Sequence, residues 1–370
     1  MSSFSLLDHF SALDDPRQHW KVLYPLPEVL LLVLCGTMAG ADDFVEIRKW
    51  GVQKLPFLRR FLPFEHGIPS HDTLNDVMNA LPGGLFADCF TSWVATLRED
   101  DLDIVSIDGK TSRRAYGPDG RPLHLVSAWA SRQRLVLGQE ACDAKENEIS
   151  AIPRLLERLE LTGALVTIDA MGCQHAIASA IRARGADYLL ALESNQKSLH
   201  GEVALFFDVA RGLDTHTTTD ADHGRIETRT TRVCHATDWL SNQRKAPGEP
   251  NFEGLATLVE VCSQVEQAGA VSRSRRFYIA SATLTAKQAA RTVRAHWGIE
   301  NRLHWVMDVV FHDDLMRLRT RHGPANMATM RHTALNIIKA IPGKESLKVK
   351  RKTLGWSEEY LFNAIKNNPQ

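Results

Sequence analysis

Two aspartates, Asp108 and Asp169, each end a short apolar run that predicts a buried strand. Active sites of open α/β sheets lie outside the carboxyl ends of the strands, so we expect the two carboxylates to converge at one sheet edge. Two neighbouring carboxylates repel each other unless a cation lies between them, and these hard oxygen ligands favour Mg²⁺ or Mn²⁺ over zinc. For either aspartate taken alone, the alternative is a side chain that merely caps a turn.

Glu300 is a third candidate, because it lies in residues 285–310, a stretch with helical periodicity. On one helix, Glu300, His304 and Asp308 are spaced i, i+4 and i+8 and form a single polar stripe. The alternative is a solvated helix face. Large apolar residues flank the stripe and predict a substantially buried helix instead: Trp297, Ile299, Leu303 and Trp305.

The segment that carries the two aspartates alternates strands and helices. The predicted strands cover residues 103–108, 123–130, 135–140, 164–169 and 188–192, and the predicted helices cover residues 148–161 and 174–184. This order predicts an α/β fold whose mixed sheet has parallel members and helices on its faces. Residues 195–283 are predicted to form a β-rich insertion, and helices return at 285–310 and 324–341.

Residues 1–98 are predicted to form a small helical domain. Pro27 is well placed at a helix start, and Ser70 is a good N-cap for a second helix. Short helices joined by turns suit a helix-turn-helix-like module and suit any small helical bundle equally well. We therefore divide the chain into this domain, a core at residues 99–341 and a basic C-terminal tail at residues 342–370.

The composition, 44% hydrophobic and 24% charged, is typical of a soluble globular protein and excludes a disordered or collagen-like chain. The most apolar stretch, residues 29–41, would span roughly 20 Å as a helix, which is too short for a bilayer and predicts a buried helix. No basic segment precedes an apolar one at the N-terminus, so we expect no signal peptide and a cytoplasmic protein. The six cysteines show no metal-ligand or redox spacing and predict buried free thiols.

The net charge of zero, with 44 basic and 44 acidic residues, would argue against a nucleic-acid partner if charge were spread evenly. The zero is a cancellation, however, since residues 281–370 hold 15 basic and 7 acidic residues and the rest of the chain is acidic. Between Arg317 and Lys352, ten basic residues are opposed only by Glu345. This pattern predicts an exposed basic segment that neutralises phosphates, with an ordinary solvated surface as the alternative.

Five motifs together resemble bacterial insertion-sequence transposases of the ISAs-type group, which includes the H-repeat-associated proteins. They are Ile107–Lys110, Lys145–Ile149, Thr167–Gln174, His223–Arg229 and His296–Trp305. The resemblance spans nearly the whole chain, because the N-terminal residues also resemble that group's associated domain, which implies binding of DNA ends there. It further implies a ribonuclease-H-like mixed sheet with a DDE triad. Residue by residue, this triad falls on Asp108, Asp169 and Glu300, which would hold two Mg²⁺ or Mn²⁺ ions.

The chain departs from the broader transposase class around the glutamate, where that class has a pattern of Tyr, Arg, Glu and Lys. Val293, His296, Glu300 and Met307 occupy these positions here, so the metal ligand is kept and the other residue types are replaced. His296 is the candidate for the lost DNA-backbone role, with Arg294 or Arg302 as alternatives. The residues expected to contact DNA are Lys110, Arg225, Arg229, His296, Arg302, His304, Arg317, Arg319 and Arg321. For Lys110, pairing with a carboxylate is an equal alternative.

The resemblance also implies the reaction. The DNA at the element end would be cut to release a 3′-OH, which would then replace water as the nucleophile and attack target DNA. The expected partners are terminal inverted repeats and target DNA, and synapsis of two ends predicts a homodimer. The alternatives are a related nuclease that cuts without joining and a DNA-binding protein with a decayed core. The presence of all three carboxylates argues against decay.

Overall fold

The computed structural model describes residues 6–99, 103–117, 120–142, 147–222, 224–242 and 252–366. The first of these ranges is helical, as predicted. Its helices are α1 (Leu6–Ser11), α2 (Leu26–Met38), α3 (Phe44–Gln53), α4 (Leu55–Leu58), α5 (His71–Ala80) and α6 (Gly83–Ala95). Ser70 caps α5 as expected, since its hydroxyl oxygen accepts a hydrogen bond from the Thr73 amide at 3.1 Å.

Helix α2 is the apolar run of the sequence and is buried along almost its whole length, which confirms the predicted buried helix. Among the described residues, no helix combines the length and the apolar composition that a membrane crossing needs. All six cysteines are free thiols, but only three of them are buried, and the other three are half-buried: Cys89, Cys142 and Cys262.

The described strands form a single mixed sheet in the order β3-β2-β1-β4-β5-β9-β8-β7-β6. Their bounds are β1 (Ile104–Tyr116), β2 (Pro122–Ala130), β3 (Leu135–Ala141), β4 (Leu165–Ile168), β5 (Asp187–Leu192), β6 (Asp214–Asp222), β7 (Arg225–Cys234), β8 (Thr257–Gln267) and β9 (Ala270–Ala280). Strands β1, β4 and β5 are mutually parallel neighbours, and the other adjacent pairs are antiparallel. The predicted mixed sheet is therefore present.

The predicted end of the first strand is wrong. Strand β1 does not stop at Asp108 but continues to Tyr116, because β2 pairs with it antiparallel from Val105 onwards. Only the parallel ladder with β4 ends here, at the pair Ile107–Ile168. Asp108 therefore lies in the middle of its strand and directly beyond the parallel ladder.

The β-rich insertion extends the central sheet instead of forming a separate one. Strand β9 pairs antiparallel with β5, so that β8, β7 and β6 follow outwards in sequence. Helices α9 (Lys197–Val209) and α10 (Asp238–Asn242) belong to the same region. The buried carboxylate of Glu260 on β8 is held by two arginines from the neighbouring strands, Arg232 and Arg275.

Helix α7 (Glu148–Arg158) connects β3 to β4, and α8 (His175–Ala183) connects the parallel strands β4 and β5. The continuous helix expected at 285–310 is instead broken into α11 (Ala286–His296), a π-helical segment (Glu300–His304) and α12 (Trp305–Val309). Within it, Ile299 and Leu303 are buried as expected, but the rings of Trp297 and Trp305 are exposed.

Helix α13 (Gly323–Ala340) is buried between the N-terminal helices and the sheet. On one side, the Asn326 amide donates hydrogen bonds of 2.8 Å to the backbone oxygens of Met78 and Leu81. On the other side, Asn336 exchanges hydrogen bonds with both backbone groups of Val136 on the edge strand β3. These contacts couple the N-terminal helices to the sheet.

The basic C-terminal region is folded. It forms α14 (Leu347–Trp356) and α15 (Glu358–Lys366). The predicted exposure is wrong for three of the ten basic residues between Arg317 and Lys352. Arg331, Lys350 and Arg351 are buried, because their cationic groups bind internal oxygens, as when Arg351 contacts Asp42 at 3.0 Å. Such buried cations are not free to neutralise DNA phosphates.

Candidate active site

The parallel strands β1 and β4 position the first two carboxylates. Their ladder ends at Ile107 and Ile168, so Asp108 and Asp169 are the next residue on each neighbouring strand. Beyond β4 the chain turns at once, and the carboxylate of Asp169 accepts hydrogen bonds from the amides of Met171 at 3.1 Å and Gly172 at 3.3 Å. Asp169 therefore both stabilises a turn and faces Asp108.

Asp108 belongs to two groups of side chains that could each hold a metal ion. Ligand atoms of Asp108, Asp169 and Glu148 lie within 4.8 Å of one another, and so do those of Asp108, Glu300 and His304. The three carboxylates predicted from the sequence thus lie together where the parallel ladder of β1 and β4 ends. The arrangement adds two possible ligands to the predicted three, the carboxylate of Glu148 and the imidazole of His304.

Repulsion and burial disfavour negative charge at this site. Burial, together with the facing carboxylate of Glu300, raises the pKa of Asp108 to about 8. Burial also raises the pKa of Asp169 above its usual range, with the Glu148 carboxylate adding to the shift. Without metal, Asp108 therefore retains a proton at neutral pH that a bound cation would displace.

The donor set fits a hard divalent cation. Among the described residues, no lysine or arginine forms an ion pair with the four carboxylates of Asp108, Glu148, Asp169 and Glu300. Carboxylate oxygens are the ligands that Mg²⁺, Mn²⁺ and Ca²⁺ prefer. The cluster thus has the ligands and the uncompensated charge that a divalent cation requires.

His304 lies inside the cluster, and the structure does not support the DNA contact predicted for it. Its side chain is buried, with Nδ1 at 3.6 Å from Oδ2 of Asp108 and 4.0 Å from Oε2 of Glu300. Burial lowers the pKa of His304 to about 4, so the imidazole is neutral at pH 7. Its Nε2 is buried and has no hydrogen-bond partner among the described residues, and His304 lines a small cavity together with His332 and Ser127.

Lys110 pairs with carboxylates behind the cluster, which is the second of the two alternatives set out for it. Its ammonium group contacts Asp308 and lies 3.3 Å from Asp313. Asp313 in turn binds the buried guanidinium of Arg331 at 2.7 Å. Arg331 and Lys110 hold the pKa of the buried Asp313 carboxyl below its usual range despite its burial. This network connects β1 with α12, which directly follows the π-helical segment, and with α13.

His296 makes a contact within the protein. Its Nδ1 lies 2.9 Å from the hydroxyl of Thr167 on β4, and burial lowers the pKa of the imidazole to about 4. The contact fixes the end of α11 against the sheet, close to Asp169. The DNA-backbone role inferred for His296 stays a prediction, and Arg302, one of the alternatives for that role, is exposed.

Arg317, Arg319 and Arg321 are exposed. Their segment contacts the last residue of β1, because the backbone amide of Tyr116 donates to Leu318 O at 3.1 Å and the Arg319 guanidinium lies 5.2 Å from the centre of the Tyr116 ring. Tyr116 lies at the end of β1 that is remote from Asp108, and no described contact brings these three cations to the acidic cluster.

Arg225 and Arg229 lie on β7 in the insertion, where both pair with Glu227, at 3.0 and 2.7 Å. The structure does not bring them to the acidic cluster through any described contact. Lys145, Glu146 and His223, which belong to two of the motifs, lie outside the described residues.

Glu148 is the site residue that sequence reasoning missed. It opens α7, and the preceding Asn147 caps this helix by accepting a hydrogen bond from the Ile149 amide at 3.1 Å. The available signal was the motif Lys145–Ile149, which contributed to the family resemblance and received no chemical role. A glutamate directly after a helix N-cap is common for helix stability alone, so spacing could not single it out.

The class of the protein follows from comparison with known families. The family model described as "Transposase DDE domain" matches residues 99–337, and the model of the domain associated with it matches residues 7–94. The chain therefore belongs to the family of transposases that carry this DDE domain.

The names of individual relatives agree with this family. The chain is 36% identical over 344 residues to "H repeat-associated putative transposase YhhI" of Escherichia coli, with 90% of each chain covered. It is 38% identical over 377 residues to "Putative transposase YncI" of Escherichia coli O157:H7, covering 99% of this chain and 95% of the relative. The piggyBac transposase in a synaptic complex with hairpin DNA is similar over the whole chain and 86% of its own length, with a TM-score of 0.44 and 10% identity. That structural similarity is too weak to carry an argument.

Proposed function

We propose that this chain cuts the ends of a DNA element and joins the released 3′-OH strand to target DNA, using divalent cations held by Asp108, Asp169 and Glu300. The observation that carries the proposal is the position of Asp108, which belongs both to the ligand group with Asp169 and to the ligand group with Glu300. Within each group, the possible ligand atoms lie within 4.8 Å of one another. Two neighbouring ions that share a ligand are the arrangement that in-line displacement at phosphorus uses.

A ribonuclease-H-like core is part of this proposal. Its support is the strand order β3-β2-β1-β4-β5, in which three antiparallel strands are followed by two parallel ones. The first carboxylate lies on the central strand of this set and the second follows the neighbouring strand. The third comes from the helical region after the insertion, which packs back against β1 and β4.

Mg²⁺ is the proposed ion, and when bound it would activate the attacking oxygen and stabilise the oxygen that leaves. The residues of the chain then have separate tasks. Asp108 contributes to both ligand groups, while the turn after Asp169 fixes its carboxylate through two backbone amides. Glu300 is 55% exposed at its side chain and is therefore accessible to DNA from solvent.

DNA is the proposed partner, with the exposed Arg317, Arg319 and Arg321 as candidates to hold the DNA backbone. Recognition of terminal repeats by the N-terminal helices, and a homodimer that pairs two element ends, are further parts of the proposal. The helical region and the sheet are in direct contact through α13, so DNA bound by one would lie near the other.

The proposal is tested by incubating the full-length protein and Mg²⁺ with labelled DNA that carries the inverted repeats flanking the coding region. Cleavage at the repeats followed by joined products is the expected result. Hydrolysis without joining would instead identify a nuclease, and Mg²⁺-independent binding without cleavage would identify a decayed DNA-binding protein. Either of these two outcomes contradicts the proposed strand transfer.

A further inference from the structure

We propose that Glu148 is a fourth carboxylate ligand of the metal site, so that Asp108, Asp169 and Glu148 together hold one of the divalent cations. The inference rests on the proposed function, because the proposed function places a resident metal where the parallel ladder of β1 and β4 ends. It adds to the triad a residue from α7, an element that carries none of the three carboxylates predicted from the sequence.

The first argument is distance. Single oxygen atoms of Asp108, Asp169 and Glu148 all lie within 4.8 Å of one another, a spacing that one cation could bridge with modest adjustment. Only 12% of the Glu148 side chain is exposed, and its described ionic partner is the imidazole of His124. A carboxylate with so little access to water, facing two others, is stabilised by a cation bound between them.

The second argument is that two neighbouring side chains orient Glu148. Thr111 on β1 and His124 on β2 are directly paired across the strands, and the Thr111 hydroxyl lies 2.6 Å from Nδ1 of His124. If the hydroxyl donates to Nδ1, the hydrogen of the neutral ring is on Nε2, which donates to Oε1 of Glu148 at 2.8 Å. Because this bond uses Oε1, Oε2 of Glu148 remains available as a metal ligand. His124 is thus a positioning residue for a carboxylate ligand.

The third argument is the space that the chain leaves for this carboxylate. Gly109 follows Asp108 on β1, and a Cβ atom at Gly109 would lie 2.1 Å from Oε1 of Glu148 and 2.7 Å from Nε2 of His124. Any side chain at position 109 would therefore displace the Glu148 carboxylate. The dipeptide Asp108-Gly109 thus supplies one ligand and the room for another.

The start of α7 further favours a negative charge at Glu148. Asn147 caps the helix, and Glu148 lies in its first turn, where unpaired backbone amides create a partial positive charge. This effect offsets part of the repulsion among the three carboxylates without neutralising them.

The test is a titration of full-length, metal-free protein with Mn²⁺, in which the free ion is measured by electron paramagnetic resonance. Glu148→Gln removes the ligand charge and should weaken Mn²⁺ binding about tenfold or more. Glu157→Gln is the matched control, because Glu157 lies on the same helix, is exposed and forms no described side-chain ion pair. It should leave Mn²⁺ binding within about twofold of the wild type. Unchanged metal-free melting temperatures verify that each variant is folded.

Gly109→Ala provides a second variant, because it keeps every carboxylate and displaces Glu148 together with its positioning residue His124. It should weaken Mn²⁺ binding to a similar extent as Glu148→Gln. Because both changes act on the same ligand, the double variant should bind Mn²⁺ about as well as Glu148→Gln alone. A residue with a purely structural role would change the melting temperature and leave Mn²⁺ affinity intact.

Asp108→Asn separates this inference from the proposed function. If Asp108→Asn loses Mn²⁺ binding while Glu148→Gln binds like the wild type, Glu148 is not a ligand and the metal site of the triad stands. If the wild type itself does not bind Mn²⁺ at millimolar concentration, both the proposed metal site and its fourth ligand are contradicted.

Discussion

Nδ1 of His304 lies 3.6 Å from Oδ2 of Asp108, which links the helical region after the insertion to the central strand of the sheet. His304 ends the π-helical segment that Glu300 begins, and in this wider turn the Trp305 amide bonds to Glu300 O. Single π-helical turns are rare and occur frequently at functional sites. The segment places both Glu300 and His304 next to Asp108, whereas Asp308 contacts Lys110 instead.

The raised pKa of Asp108 predicts that ionisation of this one carboxyl destabilises the metal-free protein as pH rises. The folded state keeps a proton on Asp108 up to about pH 8, whereas the unfolded chain releases it near the usual aspartate pKa. The folded state therefore binds more protons at Asp108 between these values, and the contribution of this carboxyl to stability falls with increasing pH in that window, by at most about 1.4 kcal/mol per pH unit.

Three histidines act in the opposite direction at lower pH. Burial lowers the pKa values of His296 and His304 to about 4 and that of His332 to about 3, so they favour folding as pH rises towards 6.5. Above pH 6.5 Lys339 also acts against Asp108, because burial lowers its pKa to about 6 and its deprotonated form favours the folded state. The Asp108 effect is therefore measured as a difference: from pH 6.5 to 8 without metal, the melting temperature of the wild type should fall relative to that of Asp108→Asn. A difference between the two melting temperatures that does not change with pH would contradict the prediction.

The Lys110–Asp313–Arg331 network predicts a large effect for Asp313→Asn. Asp313 and Arg331 are both buried, and removal of the carboxylate leaves the Arg331 cation without its partner. We expect a loss of about 3–5 kcal/mol in the free energy of unfolding, measured by urea denaturation.

Asp314→Asn is the control for this effect, since it makes the same change one residue further on. Asp314 pairs with Arg113, whose side chain is 84% exposed, and such pairs contribute about 0–1 kcal/mol. Equal destabilisation by the two variants would show that the buried pair has no special importance.

Exposed arginines beside β1 should determine the salt dependence of DNA binding. Replacing Arg317, Arg319 and Arg321 with alanine should weaken binding of double-stranded DNA regardless of sequence. If each arginine contacts one phosphate, the slope of log K against log salt should decrease by about 2.7.

The comparison variant replaces Lys344, Lys348 and Lys352, which are also exposed but lie in the C-terminal region beyond α13. It should change the slope less, because no described contact brings these lysines to β1. Fluorescence anisotropy at several salt concentrations measures both variants. A larger effect of the lysines would move the DNA interface to the C-terminal helices.

Much of the fold could be predicted from hydrophobic periodicity. The strands around Asp108 and Asp169 and the buried helix α2 lie close to their expected positions, because local patterns determine them. Pairing between distant strands is not encoded locally. The extension of β1 beyond Asp108 and the continuation of the sheet through β9 therefore could not be predicted.

The candidate site shows the same limit. Asp108, Asp169 and Glu300 were identifiable as carboxylates in suitable contexts, and the i, i+4 spacing placed His304 next to Glu300, but Glu148 joins them only through tertiary contacts. An ideal α-helical stripe also predicted that Asp308 would accompany Glu300. The π-helical segment changes the phase of the helix and directs Asp308 to Lys110. The buried arginines of the C-terminal region were misjudged because a count of charges contains no information about burial.

The most direct test of the central claim is strand transfer by Asp108→Asn with Mg²⁺ and labelled element ends. Asp108 contributes to both ligand groups, so we predict that cleavage and joining fall by a factor of about 10³ or more, while DNA binding persists. The matched control is Asp187→Asn on β5, a half-buried aspartate outside both ligand groups, which should retain joining. Joined products at the wild-type rate from folded, DNA-binding Asp108→Asn protein would contradict the account.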